Sequence, residues 1–360
     1  AMLAEAEKPL IITQDSGRDH DAVSALASLS ERFALPVTQR KPRFVCLPSN
    51  HPMHLGYDSD PYVEQADVIL VMDCDVPWIP EVKKPRPDCK IIHFGSDPLF
   101  SSYPIRGYTC DLAITGIPSA SLRLLEEAMS PHQKSAKRRV DARRKRVATE
   151  HARLREAWQA AVDGAKNAST IQPAWISHCI NQVKGDNSII VKEAALPYEP
   201  MTLAGPGAAF GGGAGGGLGY GLGMALGAKL AAPEKLVFCL QGDGAYMYGN
   251  PIPSHYVSRA EDLPMVTVIF NNEHWGAVKR NTRAMYPDGF AAKSNREPLT
   301  FFEPDVGYEH AALAVGGHGE KVETSAELPA AMDRAVEAVN DGRQALLNVV
   351  CANSTSTMGP

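Results

Sequence analysis

The chain is poor in most features that announce a specialised class. It has no run approaching the about 18 consecutive apolar residues of a membrane-spanning helix, and its first residues lack the basic and apolar regions of a secretory leader. Aromatics make up only 7% and the net charge is only −5, so no general attraction to nucleic acid or to acidic membranes is expected. The seven cysteines (Cys46, Cys74, Cys89, Cys110, Cys179, Cys239 and Cys351) are scattered and include no Cys-x-x-Cys pair. That excludes a disulfide framework or a zinc site and points to a reduced, cytoplasmic protein. What remains is the composition of an ordinary globular chain, 44% apolar and 21% charged over 360 residues. That length suggests two domains, or three small ones.

The informative stretch is LVFCLQGDGAYMYGNP, followed after a polar segment by LPMVTVIFNNEHWGAV. Leu236 to Leu240 and Met265 to Phe270 are continuous apolar runs that end in small or polar residues, as buried parallel strands do. Two such strands would bring Asp243 and the pair Asn271-Asn272 to one carboxyl edge, where α/β sheets bind ligands. A carboxylate, an amide oxygen and a backbone carbonyl gathered there suit Mg2+, which is commonly completed by phosphate oxygens. Gly242 and Gly244 would let backbone N–H groups approach a diphosphate without obstruction from a Cβ. Alone, Gly-Asp-Gly is no more than a tight turn with Asp as a helix cap. With both strands and the Asn pair it reads as a metal-bridged diphosphate site.

These residues resemble the thiamine diphosphate (ThDP) enzymes of the acetolactate synthase and benzoylformate decarboxylase type, whose signature is Gly-Asp-Gly, a gap of similar length, then Asn-Asn. A second segment, FGGGAGGGLGYGLGMALGAKLAAPEKLVF, strengthens the match. Its glycines cost helix stability of about 1 kcal/mol each relative to Ala, so close packing or ligand approach is expected of them. The resemblance implies that Asp243, the Asn272 side chain and the His274 carbonyl bind Mg2+, with Gly242, Gly244 and Ala245 beside the diphosphate. It implies that Leu218 wedges between the two cofactor rings and that the Gly216 carbonyl holds the aminopyrimidine amine. The cofactor accepts the electrons released as a 2-oxo acid loses CO2. A proton or a second carbonyl then ends the sequence, as aldehyde release or carboligation.

The fold expected is two doubly wound parallel-sheet α/β domains joined by a basic helical linker. Residues 1–130 read as the family's middle, Rossmann-like domain, with strands at KPLIIT, ADVILVMDC and KIIHF. The turn ITQDSGRDHDA carries one glycine and three aspartates, which would repel a pyrophosphate, so FAD is not expected there. Asp97 reads as a strand-end acid or a turn cap. Residues 131–165 are strongly basic but lack interleaved aromatics, and read as a solvated linker helix rather than a nucleic-acid surface. Residues 166–353 read as the ThDP diphosphate-binding domain and 354–360 as a polar tail.

Glu193 closes a strand, but the hydroxyl residues that relatives place after it are replaced here by Ala194, Ala195 and Leu196, which leaves its role open. Lys279 to Arg283 and residues 286–298 read as a substrate-facing lid or as a surface loop. His255 reads as a surface position at a helix start, and His310 as a helix residue. The pyrimidine-binding domain, with the glutamate that activates the cofactor, finds no counterpart in the chain. The sequence is therefore expected to be a carboxyl-terminal portion of a longer enzyme, or else one whose pyrimidine domain is a separate chain. A homodimer or homotetramer is implied, because in the family the cofactor lies between domains of different subunits. An acyl-CoA lyase of the oxalyl-CoA decarboxylase or 2-hydroxyacyl-CoA type and a non-catalytic cofactor-binding subunit are the alternatives.

Overall fold

The computed structural model describes residues 1–212, 217–294 and 299–353. It divides into two compact units, one of residues 1–158 with 202–214, the other of residues 159–201 with 215–360.

In the first unit, β1 (Pro9–Thr13), β2 (Val37–Gln39), β3 (Val68–Met72), β4 (Lys90–Gly95) and β5 (Leu112–Thr115) form a parallel sheet in the order β2-β1-β3-β4-β5. β1 and β3 are buried along their whole length because both faces are covered. Alternation sorts their side chains, since Ile11, Leu70 and Met72 join one core with Leu26, Leu29 and Phe33 of helix His20–Phe33. Leu10, Ile12, Ile69 and Val71 join the other with Trp78 and Cys89. The helix stops at Ala34 (φ 51°), where the Leu35 N–H returns to the Ser30 carbonyl at 2.9 Å. Asp97 caps a turn, accepting the Ser101 N–H and hydroxyl at 2.8 and 2.9 Å. Asp15, at the end of β1, pairs with Arg43, which also pairs with Asp75. Burial pushes the Asp15 carboxyl up to about 6 even so, against the pull of Arg43.

The basic run forms one helix, Gln133–Ala165, and most of its cations stay in water. One face does not. Ala136, Val140 and Val147 pack on Ala34, Met53 and Leu55, and between them the Arg143 side chain is driven into the first unit.

In the second unit, β6 (Ser188–Glu193), β8 (Leu236–Gly242), β9 (Val266–Asn271), β10 (His318–Val322) and β11 (Ala345–Val350) run parallel in the order β10-β11-β9-β8-β6. The short strand β7 (Ala209–Gly211) lies in the 202–214 segment that belongs with the first unit. There Phe210 bridges Phe44 antiparallel, and Ser49 and Leu203 exchange hydrogen bonds at 3.0 and 2.9 Å. All seven cysteines are free thiols. Among the described residues no helix is long and apolar enough to cross a membrane.

Candidate active site

The register of β8 on β9 pairs Gly242 with Phe270, so the residues that follow each strand emerge side by side at the carboxyl edge. Asp243 opens the short helix Asp243–Tyr248 there and is 2% exposed. Its Oδ1 accepts the Gly244 N–H at 2.8 Å, whereas its Oδ2 is buried with no hydrogen-bond partner. Burial pushes this carboxyl up to about 6, against the pull of the Gly244 N–H and of the nearby backbone N–H groups of Glu273, His274 and Asn272, none of which bonds Oδ2. The loop after β9 therefore wraps the carboxylate. A buried carboxylate oxygen left without a donor is costly unless something cationic meets it.

The resemblance singles out Asn272 of the two asparagines, and the two side chains are differently engaged in the structure. Asn271 is buried, with Nδ2 donating to Asn348 Oδ1 at 3.1 Å and Oδ1 accepting the Glu273 N–H at 3.2 Å. Asn272 is half-buried, and its Oδ1 accepts the His274 N–H at 3.1 Å, which leaves that oxygen one lone pair. Between them Glu273 takes a left-handed φ of 58°, turning the chain back. The His274 ring bonds the Asn272 carbonyl and lies 4.4 Å from the Phe301 ring. Its own carbonyl accepts the Gly276 N–H at 2.8 Å. Among the described residues no three His, Cys, Asp or Glu side chains cluster as metal ligands. A cation at this edge would therefore draw on one carboxylate plus amide and carbonyl oxygens, a hard donor set of the kind Mg2+ accepts.

The glycines beside Asp243 differ. A Cβ on Gly242 would meet nothing within 4 Å, so that side is open to a ligand. A Cβ on Gly244 would lie 2.6 Å from the Trp275 indole, so this glycine exists to let the ring pack. Trp275 is held from beyond the loop, its backbone N–H donating to the Thr300 carbonyl at 2.9 Å and its ring edge-on to Phe302. Nothing in the local spacing announced that indole. Ala245 is buried, and its carbonyl accepts the Gly249 N–H at 3.1 Å.

Gly216 lies outside the described residues. Leu218 stands 48% exposed in the bend before helix Gly221–Ala231. Its turn is pinned from two sides. Gly219 has φ +89°, and a Cβ there would lie 2.6 Å from the Gly249 backbone. Glu193, whose role the sequence left open, takes the Gly219 and Gly221 N–H groups and the Gln241 amide on its two carboxylate oxygens. It is the acid that shapes the Leu218 turn.

His255 corrects an expectation. It is 1% exposed, not a surface residue. Gln344 donates its Nε2 to the His255 carbonyl at 2.8 Å, so its Oε1 must accept from His255 Nδ1 at 2.6 Å. The ring's Nε2 then accepts the Tyr246 hydroxyl at 2.7 Å. Burial lowers the His255 pKa, and the neutral ring ties the Asp243 helix to the start of β11. His310 heads the short helix His310–Leu313.

Residues 1–125 match the family model for the central domain of thiamine pyrophosphate enzymes, and residues 196–349 match that for the C-terminal TPP binding domain. The chain belongs to the thiamine diphosphate enzyme family. The acetolactate synthase large subunit of Mycobacterium tuberculosis is 37% identical over 122 residues, 34% of this chain and 20% of that protein. The isozyme 3 large subunit of acetolactate synthase from Escherichia coli is 24% identical over 369 residues, 98% of this chain and 61% of that one. Sulfoacetaldehyde acetyltransferase of Roseovarius nubinhibens is 24% identical over 383 residues, with 97% and 60% covered. The chain thus spans at most about three fifths of these relatives. In fold it resembles the thiamine diphosphate-dependent 4-hydroxybenzoylformate decarboxylase of Rhodococcus jostii, with a TM-score of 0.73 at 20% identity over 98% of this chain and 63% of that one.

Proposed function

We propose that this chain supplies the diphosphate and metal half of a ThDP- and Mg2+-dependent site for decarboxylation or carboligation of 2-oxo acids. The observation that carries this reading is the buried, unpartnered Oδ2 of Asp243 facing the Asn272–His274 loop. Asp243 Oδ2, the free lone pair of Asn272 Oδ1 and the His274 carbonyl would hold Mg2+. The open side of Gly242 and the turn of residues 242–245 would admit the diphosphate. Leu218, exposed and fixed by Glu193 and Gly219, would bend the cofactor, and the carbonyl of Gly216 would hold its amine. When bound, ThDP supplies the electron sink for loss of CO2. The chain's own part is to neutralise, orient and exclude water.

No carboxylate of this site is assigned to activating the cofactor ring. The reading places that group on a pyrimidine-binding domain, in the same polypeptide or in a partner subunit. Exposed Leu218, Met247, Tyr248, Ile252 and Tyr256 offer the apolar surface such a domain would cover.

Calorimetric titration of the chain with ThDP and Mg2+ tests the site. Mg2+-dependent binding that disappears in Asp243→Ala supports it. Binding that is unaffected by Asp243→Ala, or by omitting Mg2+, sinks it.

A further inference from the structure

In the first unit a cavity of about 380 Å3 opens between the basic helix and the leading end of β1. Its floor is apolar, made by Leu10, Leu55, Ala66 and Val147, all of them buried. Its mouth carries Lys8, Arg146 and Arg153, and Glu150 is the single carboxylate among the lining residues. Glu150 is fully engaged. It accepts the Tyr62 hydroxyl at 2.9 Å and two Arg153 N–H groups at 2.8 and 2.7 Å. Arg153 and Glu150 thus cancel; no lining acid balances Lys8 and Arg146, and the adjacent Asp67 carboxylate is spent on the Glu7 and Lys8 backbone N–H groups, at 2.6 and 3.0 Å. Arg146 donates to the Glu7 carbonyl at 3.1 Å, a neutral acceptor that steadies the guanidinium at the rim without discharging it.

The volume is at the small end of the range for small-molecule sites. An apolar floor does not repay the dehydration of a compact inorganic anion, whereas two cations at the mouth favour a negative head group. We propose that this cavity binds a small aliphatic carboxylate, its chain on Leu10, Leu55, Ala66 and Val147 and its head between Lys8 and Arg146. The residues assigned to the cofactor all belong to the second unit, so the inference stands apart from that assignment.

The test is calorimetric titration of the full chain with hexanoate, with 1-hexanol as the uncharged analogue and inorganic phosphate as competitor. Hexanoate is expected to saturate one site, with 1-hexanol weaker by about tenfold or more and phosphate unable to displace hexanoate. Lys8→Glu combined with Arg146→Gln should weaken hexanoate by a further factor of about ten. If the double variant melts early, Lys8→Glu alone, at an exposed side chain, carries the same expectation with a smaller factor. The proposal is overturned by absence of saturable hexanoate binding, by equal affinity for 1-hexanol, by displacement with phosphate, or by folded variants that bind as the parent does.

Discussion

Arg143 Nη2 donates to the carbonyl of Phe33 at 2.6 Å, 110 residues away in sequence, from a side chain only 1% exposed. Its Nη1 reaches the Ala6 carbonyl at 2.7 Å. The Phe33 carbonyl is one of those that end the helix His20–Phe33, and a cation there also meets the negative end of the helix dipole. Its hydrogen bonds go only to neutral carbonyls, and burial lowers the Arg143 pKa to about 10 against the attraction of Asp67.

Arg143→Ala should therefore destabilise the first unit by about 2–4 kcal/mol, through lost packing and orphaned carbonyls. Arg138→Ala, an exposed position on the same helix, should change stability little. Denaturant midpoints of the two variants make the comparison. Equal midpoints would show that the basic helix is not anchored through Arg143.

Asp243 gives a pH dependence of defined sign. Its folded pKa, about 6, lies above the ordinary 3.8, so folding takes up a proton between those values. This group's contribution to stability is greatest below about pH 4 and falls as pH rises through about 6, by roughly 3 kcal/mol in all. Without metal, Asp243→Asn should be the more stable protein at pH 8, and the gap should close near pH 4. Taking the difference between variant and parent removes the similar titration of Asp15. A parent more stable than the variant at pH 8 without metal would contradict the assignment.

Gly244→Ala should expel the Trp275 indole, at a cost of about 1–3 kcal/mol, and shift tryptophan emission to the red. In a Trp275→Ala background the same change should be nearly neutral. A double-mutant cycle that shows no coupling would refute the contact.

Glu193→Gln should leave the Gly219 and Gly221 amides poorly held. Their hydrogen exchange should accelerate, while Leu240, inside β8, stays protected. Unchanged exchange at the two glycines would mean that the turn holds itself.

Leu218→Ala separates binding from folding. Being half exposed, Leu218 should contribute less than about 0.5 kcal/mol to stability, yet its loss should weaken ThDP binding measurably. A stability loss with binding intact would reverse that assignment.

The parallel strands were legible because β8 and β9 are continuous apolar runs, and the carboxyl-edge rule then placed Asp243 beside the Asn pair. What could not be read were contacts whose partners lie far along the chain. The burial of His255 depends on Gln344, 89 residues on, and the tie from Glu193 to Gly221 spans 28. The Asn272–His274 turn is local, whereas the engagement of the Asn271 amide by Asn348 of β11, 77 residues on, could not be read from the spacing. Gly244 looked like a ligand-approach glycine, and only the folded loop shows the indole that needs it.

Neither unit is a contiguous length of polypeptide. The chain leaves the first after Trp158, comes back at Thr202 and is in the second again by Gly217. A gene fragment ending at Trp158 would encode a first unit without Leu203 or Phe210, the partners of Ser49 and Phe44. Recombination could not exchange these two bodies as cassettes with a single crossover. Heredity must treat them as one interlaced module, although each has a sheet and a core of its own.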